Sequence, residues 1–178
     1  YKFINHEKKI AKLAIQLGFQ QVSASHEVNP QIRFVERGDT TVLDAYLTPV
    51  LRKYINQLEE NFEGDLGRRL MFMQSNGGLT IPKFFHGKDA VLSGPAGGVV
   101  GAVEVSLRLG EKKIIGFDMG GTSTDVCHFS GKYERVFRGE IAGTRLASPM
   151  MNIHTVAAGG GSLLIYSSGR LQVGPESA

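Results

Sequence analysis

Apolar residues recur at helical spacing through the first third of the chain. Ile10, Leu13, Ala14 and Leu17 fall at i, i+3, i+4 and i+7, which predicts a helix with Asn5 as candidate N-cap and Gly18 as its stop. A short strand over Gln21–Ala24 and a turn through Asn29-Pro30 follow. A longer helix is expected from Asp39, with Leu43, Leu47, Val50, Leu51, Tyr54 and Leu58 on one stripe. Pro49 interrupts that stripe and should kink the helix or mark its true start. Asn61–Arg69, rich in glycine and charge, reads as a loop.

Beyond Leu70 the pattern shortens to strands set between glycine clusters. Leu70–Gln74 reads as a strand entering the tight turn Ser75-Asn76-Gly77-Gly78. Val91-Leu92 leads into Ser93-Gly94-Pro95-Ala96-Gly97-Gly98, after which Val99, Val103 and Leu107 continue at helical spacing. Pro95 suits the first turn of that helix, where its missing N–H is not needed. Lys113–Met119 reads as a buried-type strand, Gly120-Gly121-Thr122-Ser123 as its turn and Thr124–Ser130 as the returning strand. Gly131-Lys132 turns again into Tyr133–Ile141. Two last strands, about Asn152–Ala157 and Ser162–Tyr166, flank Ala158-Gly159-Gly160-Gly161, and no strand or helix is expected in the closing Gly174–Ala178. Helices first, then strand, helix, strand and hairpin, describe a mixed α/β domain.

Composition narrows the function classes. At 178 residues, 42% hydrophobic and 21% charged, the chain is ordinary for a soluble globular domain and long enough to enclose a core. The net charge of +3 comes from scattered basic residues, which argues against nucleic acid as a partner. A single cysteine excludes an intramolecular disulfide, and no apolar run approaches the ~20 residues needed to span a bilayer. Without a signal peptide, the expectation is a cytoplasmic protein with no membrane partner. The opening at Tyr1 and the unfinished end suggest a piece of a longer protein. Glycine is the anomaly: 23 residues, against a usual share of about 7%, gathered in four clusters.

The richest cluster is Asp118-Met119-Gly120-Gly121-Thr122-Ser123-Thr124-Asp125. A hydrophobic strand ends on an acid, turns on two glycines and returns through hydroxyls to a second acid. Glycines let backbone N–H groups approach an anion closely, and Thr122, Ser123 and Thr124 offer hydroxyl donors. Asp118 at the strand end suits a hydrated Mg²⁺, which takes one or two carboxylates together with water and phosphate. This is not a Walker A loop, since the lysine is missing and the turn leads to a strand. Asp125 could orient water or metal, or merely cap the hairpin.

The other clusters have two readings each. Gly97 and Gly98 open a helix, where free N–H groups and the dipole favour anions; equally, they could only let that helix pack closely on a sheet. Gly159, Gly160 and Gly161 could line phosphate or substrate, and Ser75–Gly78 could be a mere turn. His154, just before the triple glycine, is a candidate metal or acid/base group, although a lone strand histidine is more often structural. Cys127 shares a strand face with Phe129 and reads as a buried, inert thiol.

The Asp118–Asp125 run resembles the phosphate motif of the hydantoinase A/5-oxoprolinase family, which belongs to the actin-like ATPase superfamily. Leu70–Leu79, Leu92–Gly101, His154–Ser162 and the closing Val173–Ala178 are similar to family segments in the same order. Met71-Phe72-Met73 and Val156-Ala157-Ala158-Gly159 look closest to the oxoprolinase branch. The resemblance implies a ribonuclease-H-like α/β domain, a mixed sheet with flanking helices, incomplete on its N-terminal side. Residues 1–69 would be a mainly helical lead-in and residues 70–178 the glycine-rich phosphate-binding core.

The resemblance also implies ATP-driven hydrolysis of a cyclic amide, with ATP and Mg²⁺ as cofactors and K⁺ as a further candidate. Asp118 and Asp125 would then be the catalytic acids, with Asp118 on the metal. Gly120, Gly121, Thr122, Ser123, Thr124, Gly97, Gly98, Gly159 and Gly160 would contact the nucleotide. Family members carry a second phosphate motif on another ATPase lobe, and a further hydantoinase B-type region or subunit. Neither is present, so these 178 residues are expected to be inactive alone. An N-methylhydantoinase, an ATP-dependent ketone carboxylase subunit and a non-catalytic nucleotide-binding module are the alternatives.

Overall fold

A computed structural model describes residues 2–62, 69–141 and 143–178. Its helices are α1 (Asn5–Gln16), α2 (Ser25–Val28), α3 (Phe34–Asn61), α4 (Gly87–Ala90) and α5 (Ser93–Arg108), with a 3₁₀ turn at Pro82–Phe84. Its strands are β1 (Phe72–Met73), β2 (Leu79–Thr80), β3 (Lys113–Met119), β4 (Thr124–Ser130), β5 (Arg135–Val136), β6 (Gly139–Ile141), β7 (Thr144–Leu146), β8 (Met150–Met151), β9 (Ile153–Val156), β10 (Ser162–Ser167) and β11 (Arg170–Ser177). The chain forms two compact units. One comprises Tyr1–Gly94 with Val136–Met150, and the other Pro95–Arg135 with Met151–Ala178.

The first unit is organised around α3. This helix starts earlier than Asp39 and runs 28 residues straight through Pro49. Its buried face is not the expected apolar stripe: Val50 and Tyr54 are 71% and 54% exposed, while Thr40, Asp44, Thr48 and Ile55 are buried. The reason is what the rest of the unit presents to it. The Ala147 N–H donates to Thr40 Oγ1 at 2.9 Å, the Gly87 N–H to Thr48 Oγ1 at 3.1 Å and the Lys88 N–H to Asp44 Oδ1 at 3.1 Å. The Ala147 amide and the first-turn amides of α4 need acceptors once water is excluded, so a polar seam wins the contact. Gly87 must be glycine here, because a Cβ would lie 2.7 Å from Leu47 Cβ and 2.9 Å from the Thr48 nitrogen.

The expected strand over residues 21–24 does not form among the described residues; Ser23 Oγ instead donates to Asp44 Oδ2 at 2.8 Å. Helix α1 spans the expected residues, and Gly18 stops it at φ 92°. Asn5 is its first residue rather than a cap, since no side chain caps this end. The expected loop Asn61–Arg69 lies largely outside the described residues, and Asn61 itself closes α3.

In the second unit β3, β4 and β9 form an antiparallel sheet in that order. The strand–turn–strand limits at Lys113–Met119 and Thr124–Ser130 are those read from the sequence. The pairings make this sheet antiparallel rather than mixed, because β4 returns through a tight turn and β9 comes back along β4. Helix α5 covers one face, with Val99 and Val103 packed against Cys127 and Phe129. The opposite face is open: Ile115, Phe117 and Met119 are 74%, 65% and 54% exposed, so β3 is buried on one side only. Tyr133–Ile141 is broken into β5 and β6 instead of forming one strand. The closing residues, expected to be irregular, form β11 against β10. Ser168 and Gly169 join them at φ 53° and 78°, the left-handed pair of a two-residue hairpin turn.

Candidate functional site

Strand alternation in the second unit sorts the candidate residues. Asp118 pairs with Asp125, Gly116 with Cys127 and Phe117 with Val126 across β3 and β4; Asp125 pairs in turn with Thr155 on β9. With a period of two, Gly116, Asp118, Asp125, Cys127, Ile153 and Thr155 share the face that α5 covers. A cleft of about 220 Å³ opens there, lined by Pro95, Gly98 and Val99 of α5 and by Gly116, Asp118, Asp125, Cys127 and Ile153, among others. Its volume is below the ~300–1,000 Å³ of typical small-molecule pockets. It can take the phosphate end of a nucleotide, not the whole molecule.

Two carboxylates directly opposite on one sheet face repel each other. Asp125 is steadied by Thr155, whose Oγ1 donates to Asp125 Oδ1 at 2.6 Å. Asp118 is exposed and its carboxylate takes no hydrogen bond among the described residues. A cation between them would relieve the repulsion, and the donor set of one or two carboxylates fits a hydrated Mg²⁺. No group of three or more His, Cys, Asp or Glu among the described residues is arranged to hold a metal by protein ligands alone.

Glycine placement explains how α5 approaches. A Cβ on Gly98 would lie 3.6 Å from Asp118 Oδ2, so the helix backbone passes close to that carboxylate. Because α5 begins at Ser93, the Gly97 and Gly98 N–H groups already lie inside the i→i−4 ladder. Neither is a free donor; Gly98 gives clearance beside Asp118, and Gly97 does not line the cleft. Gly116 is required for a different reason: a Cβ there would meet Cys127 Sγ at 2.5 Å. Cys127 is buried, as expected.

The turn itself is tight, with the Gly120 N–H donating to Ser123 O at 2.9 Å. Thr122 is exposed and Ser123 half-buried, and neither hydroxyl has a hydrogen-bond partner among the described residues. Thr124 differs. It is 4% exposed, and its Oγ1 donates to Ala158 O at 2.6 Å, so its hydroxyl is spent on the fold. Gly159 and Gly160 lie against the Gly120–Gly121 backbone, outside the cleft. His154 pairs with Val126 and therefore sits on the sheet face away from the two acids. Ser75 is buried and holds Asp89 O at 2.6 Å, which makes the Ser75–Gly78 turn structural. Thr155 is the residue the sequence reading missed; its place two positions after Ile153, on the face of Asp125, was the available signal.

The glycine hairpin, the carboxylate pair and the helix over one sheet face define an α/β unit, and the chain belongs to the Hydantoinase/oxoprolinase family, whose profile matches residues 37–178. The chain is 50% identical to 5-oxoprolinase 1 of Arabidopsis thaliana over 99% of its own length, and 45% identical to the 5-oxoprolinase of Saccharomyces cerevisiae over 100%. It spans 14% of the length of each of these relatives. Among solved structures, the ATP-dependent caprolactamase of Pseudomonas jessenii superposes with a TM-score of 0.81 at 35% identity, covering 97% of this chain and 26% of that one. The nucleotide-free acetone carboxylase superposes at 0.80 with 27% identity, covering 99% and 26%. Among the described residues, no helix is long and apolar enough to cross a membrane.

Proposed function

We propose that this chain is the phosphate-binding part of an ATP-dependent cyclic-amide hydrolase, with 5-oxoproline as substrate and glutamate, ADP and phosphate as products. The observation that carries this reading is the Asp118 carboxylate, without a hydrogen-bond donor among the described residues, opposite Asp125 at a cleft beside the Thr122 and Ser123 hydroxyls. The identity to named 5-oxoprolinases supports the choice of substrate within the family.

An unstrained amide is a poor electrophile. Transfer of the terminal phosphoryl group of ATP to the lactam oxygen, with ADP leaving, makes the carbon electrophilic. Water adds there, the C–N bond breaks with the nitrogen leaving as the amine, and a second water hydrolyses the resulting acyl phosphate to glutamate and phosphate. Such a transfer needs mainly positioning and charge neutralisation. In this chain Asp118 would hold the hydrated metal, and Thr122 and Ser123 would offer hydroxyls to phosphate oxygens. Asp125, fixed on one oxygen by Thr155, would have its other oxygen available to the metal site. Mg²⁺, when bound, supplies charge neutralisation on the phosphates.

The whole polypeptide completes the site with a second ATPase lobe and a hydantoinase B-type region or subunit. The Pseudomonas jessenii relative is itself named as a subunit, which supports the second of these. Residues 1–178 then form part of one ATPase domain, in the cytoplasm, where a lone buried thiol stays reduced. The test is release of ADP and glutamate by the full-length polypeptide given MgATP and 5-oxoproline, with hydantoin and caprolactam in parallel. Coupled ADP and glutamate release is expected. ATP hydrolysis stimulated only by another lactam would keep the chemistry and change the substrate, and no lactam stimulation would overturn the reading in favour of a carboxylase or a binding module.

A further inference from the structure

We infer that Gly159-Gly160-Gly161 is a strap that aims the Gly121 and Thr122 amides at the phosphate, and that it is not itself a contact to the ligand. The inference rests on the reading of the Asp118–Thr124 hairpin as a phosphate site and assigns the donors within it. The Gly160 N–H donates to Gly120 O at 2.9 Å, and the Gly161 N–H donates to Gly121 O at 2.8 Å. In a planar trans peptide the C=O and the following N–H point in opposite directions. Fixing the Gly120 carbonyl towards the strap therefore turns the Gly121 N–H away from it, and fixing the Gly121 carbonyl does the same for the Thr122 N–H. Neither N–H has an acceptor among the described residues, and both residues are exposed. Successive N–H groups presented this way make an anion-binding concavity. The Gly120 N–H is not part of it, because it is already given to Ser123 O.

The strap admits no side chain at its first position. A Cβ on Gly159 would lie 2.6 Å from Gly120 O and 2.7 Å from the Gly121 carbonyl, all backbone that can yield only by moving the turn. One residue on, a Cβ on Gly160 would meet Gly120 O at 3.7 Å, an ordinary contact. The strap is anchored from its other side, where Ser177 Oγ donates to Gly161 O at 3.0 Å and Ser162 Oγ accepts from the Gly159 N–H at 3.0 Å.

The experiment compares Gly159→Ala with Gly160→Ala in the full-length polypeptide, with MgATP and 5-oxoproline varied separately. Gly159→Ala is expected to lower kcat/KM for MgATP on the order of a hundredfold, as a displacement of about 1 Å does, with KM for 5-oxoproline unchanged. Gly160→Ala is expected to have an effect smaller by about tenfold or more. Equal effects, or a loss shared by both substrates, would overturn the inference. Amide hydrogen exchange of the wild-type polypeptide, with and without a non-hydrolysable ATP analogue and Mg²⁺, decides the matter even if Gly159→Ala does not fold. Gly160 and Gly161 should be protected in both states, and Gly121 and Thr122 only with nucleotide. Turnover without gained protection at Gly121 and Thr122 removes this assignment alone; neither turnover nor protection removes the functional reading together with it.

Discussion

Each unit holds a carboxylate beside a cavity, and the two are treated in opposite ways. Asp44 of the first unit is 2% exposed and already accepts from Ser23 Oγ and the Lys88 N–H. It lines a space of about 260 Å³ together with Arg52, His86 and Lys88. Arg52 gives its guanidinium to Pro82 O and Lys83 O, and Lys88 Nζ sits 2.6 Å from Asp89 Oδ1. Asp118 of the second unit is exposed, and its carboxylate accepts no hydrogen bond among the described residues. A buried carboxylate must be saturated by protein donors or be neutralised. A solvated one can leave its lone pairs for a metal and its phosphate. Cavity size does not separate the two places; the state of the acceptors does.

The sharpest break in this contrast is Asp118→Asn. Removing the charge is expected to cost turnover of MgATP about 10²–10³-fold, the scale for losing one preorganised electrostatic stabiliser, with the far-UV spectrum and unfolding midpoint unchanged. Turnover at the wild-type rate would take Asp118 out of the mechanism. Asp44→Ala should do the reverse. It strands two donors in a buried seam and is expected to destabilise by about 2–3 kcal/mol in urea unfolding, while KM for MgATP is kept in whatever protein remains folded.

A smaller effect is expected at Gly116. Its Cβ would overlap Cys127 Sγ, so Gly116→Ala should cost about 1–3 kcal/mol by overpacking. Gly116→Ala with Cys127→Ala should recover most of that loss, because the two residues are coupled; a strictly additive pair would show that the strain lies elsewhere.

The smallest effect concerns pH. Burial pushes the Glu7 carboxyl up, but hydrogen bonds from Ser25 and His26, side chains and backbone together, outweigh it and lower the pKa from 4.5 to about 2. Since the folded value lies below the unfolded one, Glu7 stabilises the α1–α2 region above about pH 4.5, and that contribution is lost as the pH falls towards 2. Hydrogen exchange in α1 and α2 should accelerate across that window in the wild type. The change should be flattened in Glu7→Gln, and equal profiles in the two proteins would remove Glu7 from the account.

The parts that could be read without a structure share a physical character. The β3–turn–β4 hairpin was legible because an apolar run, two glycines and a returning alternation lie within a few residues, where local geometry decides. Gly18, Pro95 and the buried Cys127–Phe129 face were legible for the same reason. The buried face of α3 was not. Thr40, Asp44 and Thr48 look like solvent-facing positions until Ala147, Ser23, Lys88 and Gly87 are brought to them, and Ala147 comes from more than a hundred residues away. β11 was missed although Ser168-Gly169 was a usable turn signal, because its strand carries exposed residues on both faces and shows no buried alternation.

The candidate site divides in the same way. The proposed phosphate role of Asp118–Asp125 was legible in the acids, glycines and hydroxyls and their spacing, since a tight turn needs glycine and a metal needs a carboxylate. Tertiary structure alone decided that Thr124 is spent on Ala158 and that Thr155 holds Asp125. It also decided that Gly98 gives clearance beside Asp118 and that the triple glycine rests on the turn. Those assignments depend on which hydrogen-bond partners meet across the sheet, and residues far apart along the chain meet only after the strands have paired.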